Sequence, residues 1–469
     1  MKKDTVLENV RIDKLVFGGK GLAQHEDGRK IMVTGGAIPG QVVNLRVLKS
    51  KKNYLEAQII DIVAKSPFEG ELPAHYQVYG GCKWLPIQYS KQLEIKEEQV
   101  KDALRVIRDR LTDTVFHPIV ASPEIYGYRN KVEFSWGKYI SAKEGVHDEF
   151  RFGFHKQGEF DRIVDCDYCV LADDRINEIF AVVRDYSRDS GIPTYDPKTQ
   201  IGFWRHFVVR KSKTTGATML VFSANTAYEG YTRKEEGELL VFVRQVLVAK
   251  FPEIESVYLL RNTGKADIVT GEAVKLHGSD TIVETLLGLQ FEIHPKSFFQ
   301  TNSLGAEKLY ETTLANLKSE GGTLLDLYAG TGTIGILLAK RFAKVHSVEL
   351  VPEASADGAR NAARNGVDNV EFFAGKAEDF VKSFLESGKK ADAIIVDPPR
   401  DGMHPSAPKT ILEFKAKEIV YVSCNPATLA RDLEVMLESG EYRVTDVTPV
   451  DMFPHTHHIE TVARLERVA

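Results

Sequence analysis

The 469-residue sequence is poor in cysteine, with only four, and it has no long continuous apolar run. Four cysteines are too few for a disulfide framework in a chain this long, which points to a reducing, cytoplasmic setting. A spanning helix needs about 20 apolar residues, so no membrane span is expected. The opening Met1-Lys2-Lys3-Asp4 leads into no apolar segment of the secretory kind. An excess of one charge sign is missing too: 61 Lys and Arg face 66 Asp and Glu, for a net −5. That balance excludes a uniformly basic nucleic-acid binder but permits a local basic face. Internal repeats and low-complexity stretches are absent. What is present is a globular composition, 43% hydrophobic, long enough for two to four domains.

The charge is unevenly spread. Residues 1–65 hold twelve Lys and Arg against seven Asp and Glu, a surplus of five. Short alternating runs (Val6–Ile12, Ile31–Val33, Val42–Leu48, Glu56–Val63) are separated by Gly18-Gly19, Gly35-Gly36 and Lys51-Lys52-Asn53. That pattern predicts a small antiparallel barrel of the oligonucleotide-binding type over 1–66. A barrel with a merely solvated basic face is the ordinary alternative. Leu93, Val100, Leu104, Ile107 and Leu111 predict one helix with a single buried stripe over about 90–112, able to pack on a catalytic domain. A middle α+β domain is expected over 67–292, with strands at Lys131–Trp136, Phe203–Arg210, Thr218–Phe222 and Val257–Leu260. From 293 to 469 strands and helices alternate, the pattern of a Rossmann-like, doubly wound α/β sheet.

Gly330-Thr331-Gly332-Thr333-Ile334-Gly335 follows a predicted strand and opens a helix, and Glu349 lies 19 residues beyond Gly330. Taken alone, this fits the dinucleotide fingerprint and an NAD-dependent oxidoreductase. Two features favour S-adenosylmethionine instead. Asp326 is an acid within the strand end, useful to a ligand carrying an ammonium and a sulfonium and no phosphate. The later strands end in Asp397-Pro398-Pro399-Arg400 and Ser423-Cys424-Asn425-Pro426, reactive polar groups rather than a hydride site.

A thiol, a carboxylate and a methyl sulfonium together suit one reaction. The fifth carbon of a pyrimidine is a poor nucleophile until a thiolate adds to the sixth carbon and makes an enolate. A carboxylate must later remove the proton from the fifth carbon so that the thiol can leave. Cys424 and Glu460 supply these two groups. A cysteine after a buried strand is more often inert core, but here Ser423, Asn425 and Pro426 give it a turn.

These motifs, with Phe298-Phe299-Gln300-Thr301-Asn302 and Phe453-Pro454-His455-Thr456-His457-His458-Ile459-Glu460, resemble the RNA uracil-5-methyltransferase family. Residues 1–66 are similar to its TRAM domain. The resemblance implies Cys424 as nucleophile and Glu460 as base. It also implies Gln300, Tyr328, Gly330, Gly332, Glu349 and Asp397 around adenosylmethionine. On physical grounds Glu349 suits the ribose hydroxyls, Tyr328 a stacking or edge contact, and Asp397 an additional hold on the uracil. The implied partner is RNA, with 23S rRNA favoured because the barrel accompanies ribosomal members; the protein is expected to be a monomer. The target base must leave its stack to be reached. Arg129 and Lys131 join the barrel lysines as candidates for the phosphate backbone.

The sequence departs from the family in one place. Many members hold an iron–sulfur cluster through a cysteine, five residues, Cys-Gly-Gly-Cys and a distant fourth cysteine. Here those positions read Pro73, Tyr79-Gly80-Gly81-Cys82 and Cys169, so two thiolates are missing. Cys166 and His75 have the wrong spacing to replace them. Cys166-Asp167-Tyr168-Cys169 has redox or zinc spacing but lacks partner ligands, so no metal site is expected. His455, His457 and His458 read as active-site walls. The rival readings are a tRNA uracil-5-methyltransferase, the NAD oxidoreductase and a non-catalytic RNA-binding protein.

Overall fold

The computed structural model describes residues 2–72, 81–141, 146–156 and 159–468. Six strands, β1 (Val6–Arg11), β2 (Lys14–Val16), β3 (Lys20–Gln24), β4 (Lys30–Thr34), β5 (Val42–Ser50) and β6 (Tyr54–Ala64), pair in the order β1-β5-β6-β4-β3-β2. Alternate residues point inward, so Ile31, Val33, Val43, Leu45, Val47, Leu55 and Ala57 are fully buried, as period-two strands require. Trp84, Ile87 and Ile95 plug this core from outside. The last two lead into and lie on α1 (Tyr89–Leu104).

Further along, Val100 and Leu104, with Ile107 and Leu111, are buried in the core of the C-terminal sheet. A two-residue strand, β7 (Val115–Phe116), pairs with that sheet's edge. The segment from α1 to β7 is therefore physically a layer of the C-terminal unit, although it precedes the middle sheet in sequence.

The middle sheet has seven strands. They are β8 (Lys131–Ser141), β9 (Val146–Lys156), β10 (Glu159–Asp165), β11 (Trp204–Lys211), β12 (Thr218–Ala224), β13 (Ile254–Arg261) and β14 (Glu272–Gly278), in the order β10-β9-β8-β11-β12-β13-β14. One face is covered by α2 (Asp174–Asp189), capped by Asp173 on the Ile176 N–H, and by α3 (Lys234–Phe242) with its continuation α4 (Val248–Lys250). Its core is aromatic: Trp136 stacks on Phe152 at 4.4 Å and Phe152 on Phe180 at 4.7 Å. The opposite face, with Val208, Met219 and Val221, packs on the C-terminal unit together with the hairpin β15 (Ile282–Leu286) and β16 (Leu289–Ile293).

The C-terminal sheet contains β17 (Thr323–Leu327), β18 (Lys344–Glu349), β19 (Val370–Ala374), β20 (Ala393–Val396), β21 (Glu418–Ser423), β22 (Tyr442–Val450) and β23 (Glu460–Arg467). Its order is β19-β18-β17-β20-β21-β23-β22-β7. Strands β17 to β21 are parallel, and β23 runs antiparallel to β21. Every residue of β20 and β21 is buried, as expected for parallel strands covered on both faces. Helices α5 (Ser303–Asn316), α6 (Thr333–Leu338), α7 (Pro352–Arg364), α8 (Ala377–Glu386), α9 (Ala407–Leu412) and α10 (Pro426–Met436) cover it. The order reverses between β17 and β20, which opens a crevice at the carboxyl ends of the strands. Among the described residues no helix is long and apolar enough to cross a membrane.

Candidate active site

The crevice collects polar groups from five strands. Behind β17, Asp326 is 1% exposed. Its Oδ2 accepts from the Gly335 N–H at 3.0 Å and Ser347 Oγ at 3.1 Å, while Oδ1 has no partner. Glycine is needed at 335, since a Cβ there would stand 2.7 Å from that same Oδ2. The carboxyl sits beneath the turn and ties α6 to the strand through Oδ2.

Tyr328 adopts φ 62, a conformation that non-glycine residues hold only under constraint. It swings the chain into the Ala329-Gly330 turn. Its hydroxyl donates to Glu378 Oε1 on α8 at 3.0 Å, which anchors the ring's hydroxyl edge to that helix. Glu349 sits under the turn, Oε2 accepting from the Gly330 N–H at 2.8 Å and Oε1 from the Val351 N–H at 2.9 Å. A Cβ on Gly330 would meet nothing within 4 Å, whereas one on Gly332 would strike Phe372. Gly330 therefore borders open space, and Gly332 serves close packing.

Asp397 follows β20, Cys424 follows β21 and Glu460 opens β23. Ser423 pairs with Thr461, so Cys424 and Glu460 are the next opposed positions of an antiparallel pair. Cys424 is half-buried and Glu460 buried. Burial raises Glu460 to about 8, with Asp397 adding and Arg400 opposing. Burial raises Asp397 to about 7, with Asp326 adding. The Cys424 thiol is pushed up to about 12 by burial and then by Glu460 and Asp397, against the pull of Arg400. These carboxyls and the thiol are close enough to govern one another's ionisation.

The supports are local. Asn425 caps α10 through the Ala427 N–H at 3.0 Å, and its Nδ2 holds the Arg400 carbonyl at 2.9 Å. Asp432 Oδ2 accepts from the Met403 N–H at 2.9 Å and from Tyr421 Oη at 2.7 Å, fixing the loop after Asp397. Gln300 is placed through its carbonyl, which accepts from Asn130 Nδ2 at 2.8 Å; Asn302 then caps α5.

His455 is packed inside against Gln92 and Tyr126, and it, His457 and His458 are depressed by burial to about 4, 4 and 3, so they are neutral rings. Sequence reasoning passed over Arg400, although it ends the Asp397 motif, and Tyr310 on α5. The Tyr310 ring is buried within reach of Asp397, Asp326 and Glu460. Arg129 is not on an outer face: its guanidinium lies beside Tyr128, Cys169 and Cys82, with Nε buried and without a partner. Lys131 lies 3.9 Å from Glu133.

The donor set does not fit an iron–sulfur cluster. Four thiolates are needed, and with Cys424 at the end of β21 only Cys82, Cys166 and Cys169 remain, all buried. Cys166 donates to the Tyr168 carbonyl at 3.3 Å, and burial pushes its thiol strongly up. Pro73, His75, Tyr79 and Gly80 lie outside the described residues. Among the described residues no group of three or more His, Cys, Asp and Glu is arranged to hold a metal.

The doubly wound sheet and its glycine turn are those of a Rossmann-like domain, and the comparisons make it an adenosylmethionine-dependent methyltransferase. Residues 287–468 match the family model described as tRNA (Uracil-5-)-methyltransferase, and residues 8–60 match the TRAM domain. An uncharacterized RNA methyltransferase of Caldanaerobacter subterraneus is 37% identical over 98% of both chains. One of Clostridium tetani is 38% identical over 98% of this chain and 97% of that one. The crystal structure of Pyrococcus abyssi tRNA (uracil-54, C5)-methyltransferase with S-adenosyl-L-homocysteine is 30% identical, with a TM-score of 0.74 over 98% of this chain and 100% of that one. The chain belongs to the RNA uracil-5-methyltransferase family.

Proposed function

We propose that this protein methylates carbon 5 of a uridine in RNA, with Cys424 as nucleophile and Glu460 as base. The observation that carries the reading is the opposition of Cys424 and Glu460 across β21 and β23, beside Asp397. Adenosylmethionine supplies an electrophilic methyl on a sulfonium, and its positive charge favours the anionic forms of nearby carboxyls. Gln300, Tyr328, Gly330, Gly332, Glu349 and Asp397 are the residues proposed to hold it. Each Glu349 oxygen keeps a second lone pair for a ribose hydroxyl.

The Cys424 thiolate forms a bond to carbon 6 of the uracil, and the ring electrons move to the carbon 4 oxygen. The enolate carbon 5 bonds to the methyl as the methyl–sulfonium bond breaks, its electron pair going to sulfur so that neutral S-adenosylhomocysteine leaves. Glu460 then removes the proton from carbon 5, the double bond re-forms, and the Cys424 sulfur leaves with its electron pair. The Arg400 guanidinium acts on both groups and favours the thiolate.

We propose 23S rRNA as the target and cytoplasmic action as a monomer, by analogy with barrel-bearing ribosomal enzymes. A tRNA target is the second reading, supported by the Pyrococcus enzyme, which matches along the whole chain, barrel included. Mapping 5-methyluridine in rRNA and tRNA from cells with and without the gene decides between them. Cys424→Ala should abolish methylation, and Glu460→Gln should trap a covalent RNA adduct on a denaturing gel. Methylation by the Cys424→Ala protein would refute the nucleophile.

A further inference from the structure

The loop joining β22 to β23 brings His457 and His458 to the crevice and leads into Glu460. It is held by a helix far away in sequence. Gln92 on α1 is buried and clasps His455, 363 residues on. Its Oε1 accepts from the His455 N–H at 2.8 Å, and its Nε2 lies 3.0 Å from His455 Nδ1. The same Nε2 donates to the Trp84 carbonyl at 3.0 Å and the Ile87 carbonyl at 2.8 Å. One turn further, Lys96 is wholly buried, 2.6 Å from Asp451 Oδ1, and donates to the Phe453 carbonyl at 3.1 Å. No solvent competes for these bonds, so they define a single loop geometry.

The loop itself is constrained. His455 has φ 62, and its ring stacks on Tyr126 with centroids 4.7 Å apart. Tyr128 Oη donates to the Pro454 carbonyl at 3.0 Å. The barrel braces the same spot. The Trp84 N–H, at the foot of the barrel core, donates to the His455 carbonyl at 3.0 Å. The Gly18-Gly19 turn between β2 and β3 lies so close that a Cβ on Gly19 would stand 3.3 Å from Trp84 Nε1 and 3.4 Å from His457 Cβ. At the loop's inner end, His458 Nδ1 lies 3.3 Å from the Arg400 guanidinium, whose charge acts on both Cys424 and Glu460.

From this chain of contacts we infer that Gln92 and Lys96, braced by the barrel turn at Gly19, are positioning residues for methyl transfer, acting through His455, His458 and Arg400 on Cys424 and Glu460. The inference rests on the roles proposed above for Cys424 and Glu460. It makes the barrel a wall of the reaction site as well as a surface for RNA.

The test uses the full chain carrying Gln92→Ala, assayed on total RNA from cells lacking the gene. Calorimetry with adenosylmethionine alone and iodoacetamide alkylation of Cys424 at fixed pH accompany it. We expect kcat to fall about 10- to 100-fold, the scale of a misplacement near 1 Å, with the KM for RNA and the Kd for adenosylmethionine unchanged within about two-fold. Alkylation of Cys424 should slow, because a displaced Arg400 no longer favours the thiolate. A merely stabilising clamp would loosen the crevice and speed alkylation instead. An unchanged kcat, a loss confined to KM, or faster alkylation overturns the inference. If Gln92→Ala no longer binds adenosylmethionine, Gly19→Ala, which presses a methyl on Trp84 and His457, decides by the same criteria. A wild-type protein that transfers no methyl to RNA refutes the functional reading, while the alkylation rates still decide the positioning.

Discussion

Replacing Asp326 by asparagine should invert the relative stability of variant and wild type across the neutral range. Burial raises the Asp326 carboxyl to about 7, with the Ser347 and Gly335 hydrogen bonds opposing and Glu349 adding. An aspartate in an unfolded chain titrates near 3.9, about three units lower. Between these values the folded protein holds a proton that the unfolded chain has lost. Wild-type stability from this group is therefore full below about pH 4 and lost as pH rises through about 7. At 1.36 kcal/mol per unit, the loss amounts to about 4 kcal/mol. Asparagine cannot titrate. It keeps an oxygen for the Gly335 N–H and Ser347 Oγ but puts an amide N–H where Oδ1 has no partner, a fixed cost of about 1–3 kcal/mol. Removing the charge also relieves Asp397, which Asp326 pushes up, and so adds to the effect at high pH. Asp326→Asn should thus melt below wild type at about pH 4.5 and above it at about pH 8.5, at ~2–4 °C per kcal/mol. Fluorimetric melting without adenosylmethionine reads this directly. A melting difference of constant sign and size would mean that Asp326 is ionised throughout, and the account of it as a buried, proton-holding strut would fail.

Adenosylmethionine affinity should weaken as pH falls through about 7, where Asp397 takes up a proton, and Asp397→Asn should flatten that dependence in calorimetry. Gly335→Ala forces a methyl 2.5 Å from Ser347 Oγ and should cost about 1–3 kcal/mol of stability with loss of adenosylmethionine binding, checked by melting and calorimetry. Phe152→Ala empties the aromatic stack between Trp136 and Phe180 and should destabilise the middle sheet by about 3–5 kcal/mol, while the adenosylmethionine Kd holds. Protein purified anaerobically should contain no stoichiometric iron or sulfide by metal analysis, because three thiols remain where four are needed.

Which parts of the site could be read from the sequence follows from how parallel sheets are built. Asp397 and Cys424 each follow a run of buried strand residues, so their place at a carboxyl edge is encoded within four or six neighbours. The Gly330 turn is equally local. Lys96 is the contrary case: beside Val100 and Leu104 it looks like the solvated side of a helix, yet it is wholly buried because Asp451 arrives from 355 residues away. Gln92 is hidden for the same reason. Arg129 looked like a phosphate ligand because basic residues near a strand start usually face solvent; the buried Tyr128 and the cysteines draw it inward. For Tyr328 the motif locates the residue, but the left-handed φ of 62 and the hydroxyl's bond to Glu378, 50 residues on, are not written in it. Local pattern encodes strand ends, and long-range pairing decides which buried charges are tolerated.

The same pairing explains why the crevice can hold so many acids without coming apart. Asp326, Asp397 and Glu460 are raised to about 7, 7 and 8, first by burial and then by neighbouring carboxyls. Three anions here would repel one another in a region of low dielectric, at a cost of several kcal/mol. Near neutral pH the resting site avoids that cost by holding protons, and the Cys424 thiol and the three histidines stay neutral beside it. A base that holds its own proton cannot take one from carbon 5, and a neutral thiol adds slowly to carbon 6. On the roles proposed for them, both groups gain from positive charge brought close, and among the described residues the Arg400 guanidinium acts on both Cys424 and Glu460. Competence is therefore conditional on what fixes Arg400 from the protein side and on a cationic ligand from the other. On the proposed roles, the α1 clasp, the barrel turn and adenosylmethionine binding all bear on one electrostatic event, and the half-buried Cys424 thiol reacts slowly until its partners are in place.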